Sequence, residues 1–220
     1  AITQVAHAAI RLRAGKENAL AATKTYTAQL LAIAMLSAAL RGTRGDFHRL
    51  AAAPHQMQKT LDTESRIREL AARYRYMQHC VIIGRGYNYC TVKEAALKFM
   101  ETNYVVAQPF STADFMHGPI AMTGEGFPVF VAAAPGKMAP GVKKLIKGLS
   151  ERRVETIAVS SDRTALDSAV VPIAMPVTPD EPLSPLFYIV PFQFLACFIS
   201  QTRGINPDNP RFLKKITQTL

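Results

Sequence analysis

The chain has 220 residues, 49% hydrophobic and 19% charged, with a formal net charge of +10. That length allows one large domain or one and a half small ones, and the composition excludes a disordered or fibrous chain. Three cysteines, Cys80, Cys90 and Cys197, exclude a disulfide framework by odd number and spacing, which fits a reducing cytoplasm.

The basic residues are spread along the chain: Arg41 and Arg44, Arg66 to Arg75, Lys143 to Lys147, Lys214 and Lys215. No aromatic-interleaved patch accompanies them, so the charge argues for a small anionic substrate and against nucleic acid. The five histidines form no metal-binding pair, and neither a metal nor another cofactor is expected.

Ala1 to Thr3 reads as the tail of a strand and Arg11 to Gly15 as an edge strand and turn. A long helix follows from about Asn18 to Leu40. Its second half, LLAIAMLSAAL, is apolar all round, which predicts burial on every side. Asp46 to Gln78 reads as two helices broken near Pro54 to Thr60, with Ile67, Leu70 and Tyr74 on one stripe.

Val81 to Ile83 is β-branched and too short for a helix, hence a buried strand. Gly84-Arg85-Gly86 makes a tight turn whose lack of a Cβ would let a ligand approach the backbone. The turn is not a dinucleotide fingerprint, because Tyr89 stands where the third glycine belongs. Tyr87 to Thr102 reads as a helix and Tyr104 to Ala107 as the next strand. The loop after it ends at His117-Gly118-Pro119.

Glu94, Lys98 and Glu101 fall at i, i+4 and i+7 and share one side of that helix. Such a stripe is either a solvated set of ion pairs or a general base, Glu101, held near a lysine and facing the histidine loop. His117 is either structural or catalytic, and spacing leaves both readings open.

Phe127 to Ala133 reads as a buried parallel strand, Val142 to Ser150 as a basic helix and Val154 to Ser160 as another strand. Ser161-Asp162 follows, and a plain helix N-cap is favoured there over a phosphate site. Val170 to Ala174 is a short edge strand beside Pro172 and Pro176. Ser184-Pro185 reads as an N-cap and first turn, and Gly204 as the stop of the last long helix. Its apolar run, Leu186 to Ile199, is shorter than the roughly 20 residues a membrane span needs, so it is read as a buried helix.

Strands alternating with helices give an α/β fold, a three-layer α/β/α sandwich with a mainly parallel sheet. Two helices apolar on nearly all sides, Tyr26 to Leu40 and Leu186 to Ile199, predict a homodimer.

ATKTYTAQL at 22–30, GRG at 84–86, EAALKFMET at 94–102, HGPIAM at 117–122 and NPRFLKK at 209–215 resemble, in this order, the SIS (sugar isomerase) phosphosugar-binding family. The likeness is to the second SIS lobe of aminosugar-phosphate synthases and their stand-alone deaminase relatives. It implies a complete second lobe at 80–205, a truncated first lobe at 1–45, a helical linker at 46–79 and an active-site tail at 206–220. The phosphate-holding serine/threonine loop would then precede residue 1.

The resemblance also implies a hexose 6-phosphate substrate and interconversion of glucosamine 6-phosphate with fructose 6-phosphate. Glu101 would be the base and His117 the ring-opening group, supplied across a dimer interface. Lys215 would form a Schiff base with the ketose, with Lys98, Lys214, Leu20 and Ala22 lining the sugar. Ala22 stands where the synthases commonly have serine, and Asp114-Phe115-Met116 where they have a Glu-Leu-Lys-like run. The latter run, with KKITQTL at the end of the chain, looks closer to the stand-alone deaminases and isomerases. The isomerase half of a glutamine-dependent synthase, a ketose/aldose phosphate isomerase on another sugar and a non-catalytic phosphosugar sensor are the alternatives.

Overall fold

The computed structural model describes residues 2–42 and 44–214. Helix α1 spans Lys24–Arg41, and three short helices, α2 (Arg44–Ala51), α3 (Ala53–Leu61) and α4 (Glu64–Ala71), lead to the sheet. Strand β1 (His79–Gly84) is followed by α5 (Asn88–Asn103), β2 (Val106–Ser111) and α6 (Thr112–Met116). Then come β3 (Pro128–Ala132), α7 (Ala139–Ser150), β4 (Glu155–Ser160), α8 (Arg163–Asp167), β5 (Val171–Ala174) and α9 (Ser184–Thr202).

The five strands form one all-parallel sheet in the order β2-β1-β3-β4-β5. Side chains alternate across it. Cys80, Ile82, Phe130, Ile157 and Val159 face the layer of α5 and α9, while Val81, Ile83, Val129, Val131 and Ala158 face that of α7. Both faces are covered, which is why the strands read as continuous apolar runs. The edge assignment of β5 holds: Pro172, which has no N–H to donate, sits on the outermost strand.

Helix α9 is the buried centre of its layer, with Phe187, Tyr188, Ile189, Phe192, Leu195 and Ile199 withdrawn from solvent. The segment Glu181–Thr202 is long and apolar enough to cross a membrane, yet 78% of its apolar window is buried against the rest of the chain. The sheet is tied to the preceding helices by Arg73, whose guanidinium grips Glu155 of β4 through two hydrogen bonds of 2.6 and 3.2 Å. Tyr74 donates to the same carboxylate at 3.2 Å.

Several expectations are corrected. Ile2–Gln4 is a single 3-10 turn and 11–15 carries no strand, since neither segment has a sheet edge beside it. Helix α1 starts at Lys24 rather than Asn18. The expected break at Pro54 is instead a helix start, because proline is tolerated in the first turn. The breaks fall at Ala52 and at Asp62-Thr63, giving three helices. Ser184 is the first helical residue rather than the cap; its hydroxyl donates to Glu181 O and accepts from Asn88 Nδ2 at 2.7 Å. Asp162 is the N-cap expected, accepting from Ala165 N at 3.1 Å. Burial of α1 on every side is not met within the chain: Ile33 is 65% and Leu40 81% exposed, and Ala38 alone is withdrawn fully.

Gly84 has a different purpose from the one its turn suggested. A Cβ there would lie 2.6 Å from Asn88 O and 2.8 Å from Val92 Cγ1, so the glycine lets the first turn of α5 seat on β1. Gly84→Ala is therefore expected to destabilise the fold by about 2–3 kcal/mol through overpacking. Urea unfolding checks this, and a loss under about 0.5 kcal/mol, the range of a neutral substitution, would refute it.

Candidate functional site

Helix α5 begins directly after the β1 turn and runs back against β1 and β2, so its carboxyl-terminal end lies beside the start of β2. Its polar stripe is not solvated. Lys98 is 5% exposed, and its Nζ sits 2.5 Å from Glu101 Oε2 and 3.4 Å from Glu94 Oε1. Burial pushes the Glu94 carboxyl above its ordinary range, with Lys98 working against that and Glu101 adding to it. Above this stripe the phenol of Tyr26, on α1, is pushed strongly upward by burial, then by neighbouring Cys90 and Glu94.

Lys98 lines a cavity of about 470 Å³ with Ala21, Thr23, Lys24, Gln193 and Asp208. Two chain segments converge on it. The first, Lys16 to Lys24, is shaped by Glu17, whose Oε2 accepts the N–H groups of Thr25 at 2.9 Å and Thr23 at 3.3 Å. Partial burial raises the Glu17 pKa, but the N–H donations and Lys24 outweigh it, and the carboxyl ends below its ordinary range. The second is the tail: Leu20 N–H donates to Asp208 O at 3.3 Å, joining the two segments.

Tyr104 then anchors the tail. It closes α5 in the left-handed region (φ 58°, ψ 35°), costly for a non-glycine residue. Its hydroxyl accepts Arg211 N–H at 2.9 Å, and the Arg211 guanidinium lies 4.2 Å from its ring centre.

The expected site residues thus divide. Lys98 and Glu101 are bonded, Leu20 is tied to the tail, and Ala22 is half-buried between cavity residues Ala21 and Thr23. Lys214 is exposed at the end of the described tail, and Lys215 lies outside the described residues. His117 is elsewhere. It follows α6 at the far end of β2, so within one chain the length of that strand, about 20 Å, separates it from Glu101. The expectation that Glu101 faces the histidine loop is corrected accordingly: α5 is antiparallel to β2, which carries the loop to the opposite end.

Glu17 and Tyr104 escaped the sequence reading. Glu17 acts across a loop with no local pattern. Tyr104 occupies a helix stop where glycine or asparagine is usual, and was read as a strand residue.

Chemically, the arrangement offers a partly exposed carboxylate, Glu101, bonded to a buried ammonium, Lys98, that lines a cavity to which the tail contributes Asp208. A carboxylate so placed can take and return a carbon-bound proton. Among the described residues no cluster of three metal-ligating side chains occurs.

The SIS domain profile matches residues 75–199. The glutamine–fructose-6-phosphate aminotransferase of Methanothermobacter thermautotrophicus is 36% identical over 215 residues, 97% of this chain and 36% of that protein. The chain thus spans about a third of the length of such relatives. The C-terminal domain of glucosamine-fructose-6-phosphate aminotransferase from Francisella tularensis superposes with a TM-score of 0.82 at 20% identity, over 89% of this chain and 58% of that one. Glucosamine-6-phosphate deaminase from Thermotoga maritima gives 0.69 at 24% identity, over 91% and 58%. The last two likenesses concern the fold.

Replacing Lys98 by methionine keeps the stem and removes the charge, leaving two close carboxylates uncompensated. Lys98→Met is expected to lose about 3 kcal/mol at pH 7. Without the cation the Glu94 carboxyl, already raised by burial, holds its proton more tightly still when folded, so the deficit should grow as pH rises through and above the ordinary glutamate range, near 4.5, and shrink below it. Urea titrations at pH 4 and 7 test this; a deficit independent of pH would contradict it.

Proposed function

The chain belongs to the SIS domain family, and from that premise we propose that it forms the isomerase-type lobe of an enzyme interconverting glucosamine 6-phosphate and fructose 6-phosphate. The observation that carries the reading is the Lys98–Glu101 pair: the buried lysine lines the cavity on which the tail converges, and its carboxylate partner is partly exposed beside it. A lobe that only bound a sugar would gain nothing from keeping this pair, because withdrawing the Lys98 ammonium from water is costly.

In this reading Glu101 removes the proton from C2 of the open-chain aldose and returns it to C1 through an enediol or enolamine. With the amino sugar this gives the C2 imine, which water hydrolyses to the ketose with release of ammonia, and the reverse direction consumes ammonia. One base near both carbons suffices. Lys98 holds the carboxylate in one orientation and compensates its charge. Lys215 forms an imine with the ketose carbonyl, making the neighbouring C–H more acidic, while Lys214, Leu20 and Ala22 line the sugar. His117 opens the ring. Because it lies a strand's length from Glu101, it acts on the site of a second copy, and the reading includes a homodimer.

The exposed apolar faces of α1, through Ile33, Met35, Leu36 and Leu40, support the division of the chain into a part of one lobe (1–45), a linker (46–79), a second lobe (80–205) and a tail (206–220).

Glu101→Gln, in the protein carrying this chain, is expected to lower kcat at least about 100-fold, the usual scale for a lost general base. KM should stay within about threefold, because the lost interaction is made in the transition state. Steady-state kinetics with fructose 6-phosphate or glucosamine 6-phosphate give the answer. A near-normal kcat would remove Glu101 from the chemistry.

A further inference from the structure

Parallel sheets of this kind commonly open a ligand crevice at the carboxyl ends of their strands, where the strand order reverses. Here that point lies between β1 and β3, and it is filled. The carboxylate of Glu181 accepts Lys137 N–H at 3.2 Å and packs against Gly136. A carboxylate in that place repels an anion.

Arg85, on the turn after β1, is drawn elsewhere. Its Nη1 donates to Thr112 Oγ1 at 2.9 Å, and its Nε to Met138 Sδ at 3.4 Å. It thereby lines a cleft of about 400 Å³ between α6 and α7, together with Thr112, His117, Lys144 and Arg152. No aspartate or glutamate lines this cleft. On α7 the neighbouring lysines are paired, Lys143 with Asp162 and Lys147 with Glu151. Among the described residues Arg85, Lys144 and Arg152 have no carboxylate within ion-pair distance. Thr112 is buried, and its hydroxyl accepts from Arg85, which leaves its own proton free to donate.

We propose that this cleft binds a phosphate dianion, either free phosphate or the phosphoryl group of a sugar phosphate. Three uncompensated cations on one concave wall repel each other until an anion enters, and guanidinium groups match phosphate oxygens in geometry. The cations are solvated, so affinity near 1 mM is the expected scale, falling as salt rises. Within one chain the cleft is separate from the Lys98 cavity; it shares His117 with the reading above, in which that imidazole serves a second copy, and the phosphate binding tested below does not require that role.

The test titrates the 220-residue chain with inorganic phosphate at fixed ionic strength, following the backbone amides of residues 112, 117, 144 and 152 and the His117 ring by NMR. Saturable shifts at these positions are expected. The double variant Lys144→Ala/Arg152→Ala, at exposed positions that leave the core untouched, should raise Kd about tenfold or more. A second arm adds fructose 6-phosphate to the phosphate-bound chain. Displacement at the same amides identifies the ligand as a sugar phosphate, and no displacement as free phosphate. The proposal is overturned if chloride at equal ionic strength produces the same shifts, or if the double variant binds phosphate as well as the parent. It is also overturned if these residues respond only to protein concentration, which would make the cleft a contact between copies.

Discussion

Burying the ammonium of Lys98 constrains nearly everything around it. An isolated charge withdrawn from water costs several kcal/mol, and the helix meets that cost with carboxylates four residues before and three after. The two acids must then stay on the inner side of α5, which sets the rotation of the helix on the sheet. One turn further on, α9 is held by matching polar contacts: Thr102 Oγ1 and Asn103 Nδ2 both donate to Ala196 O, at 3.4 and 3.0 Å. The same face of α5 receives α1 through Tyr26, so the ion triad sits beneath two helices and beside the tail.

Charge is distributed in opposite ways at the two ends of the β1–α5–β2 unit. At the start of β2 a cation is enclosed by acids, and the cavity beside it is walled by chain segments tied through Glu17, Asp208 and Tyr104. At the far end of β2 the cations Arg85, Lys144 and Arg152 share with His117 a cleft that no acid lines, while Glu181 fills the crevice that the sheet would otherwise offer. A fold with one sheet therefore presents two chemically distinct surfaces about a strand length apart.

The strands and α9 were legible because their signals are local: short apolar runs that form strands of four to six residues, and an apolar stretch punctuated by Pro185 and Gly204. The Glu94–Lys98–Glu101 stripe was legible as a spacing, but not as buried, since burial is decided by α1 and α9, remote in sequence. Gly84 was misread for a related reason. Its contact is with the backbone of Asn88, which only the docking of α5 reveals. The predicted strand at 11–15 failed because a strand needs an edge to pair with, and the edge strands β2 and β5 are both formed by later segments. Burial of α1 was inferred from composition alone, and composition does not say which part of a molecule supplies the cover.

In the proposed mechanism Glu101 is the group that meets the reacting carbons, with Lys98 behind it. A crystal structure of the protein carrying this chain, soaked with fructose 6-phosphate, tests this most directly. The account predicts the sugar in the Lys98 cavity, with C1 and C2 both about 3–3.5 Å from the Glu101 carboxylate, the separation of a reactive pair. A sugar bound with that edge turned away from Glu101, or seated outside the cavity altogether, would contradict it.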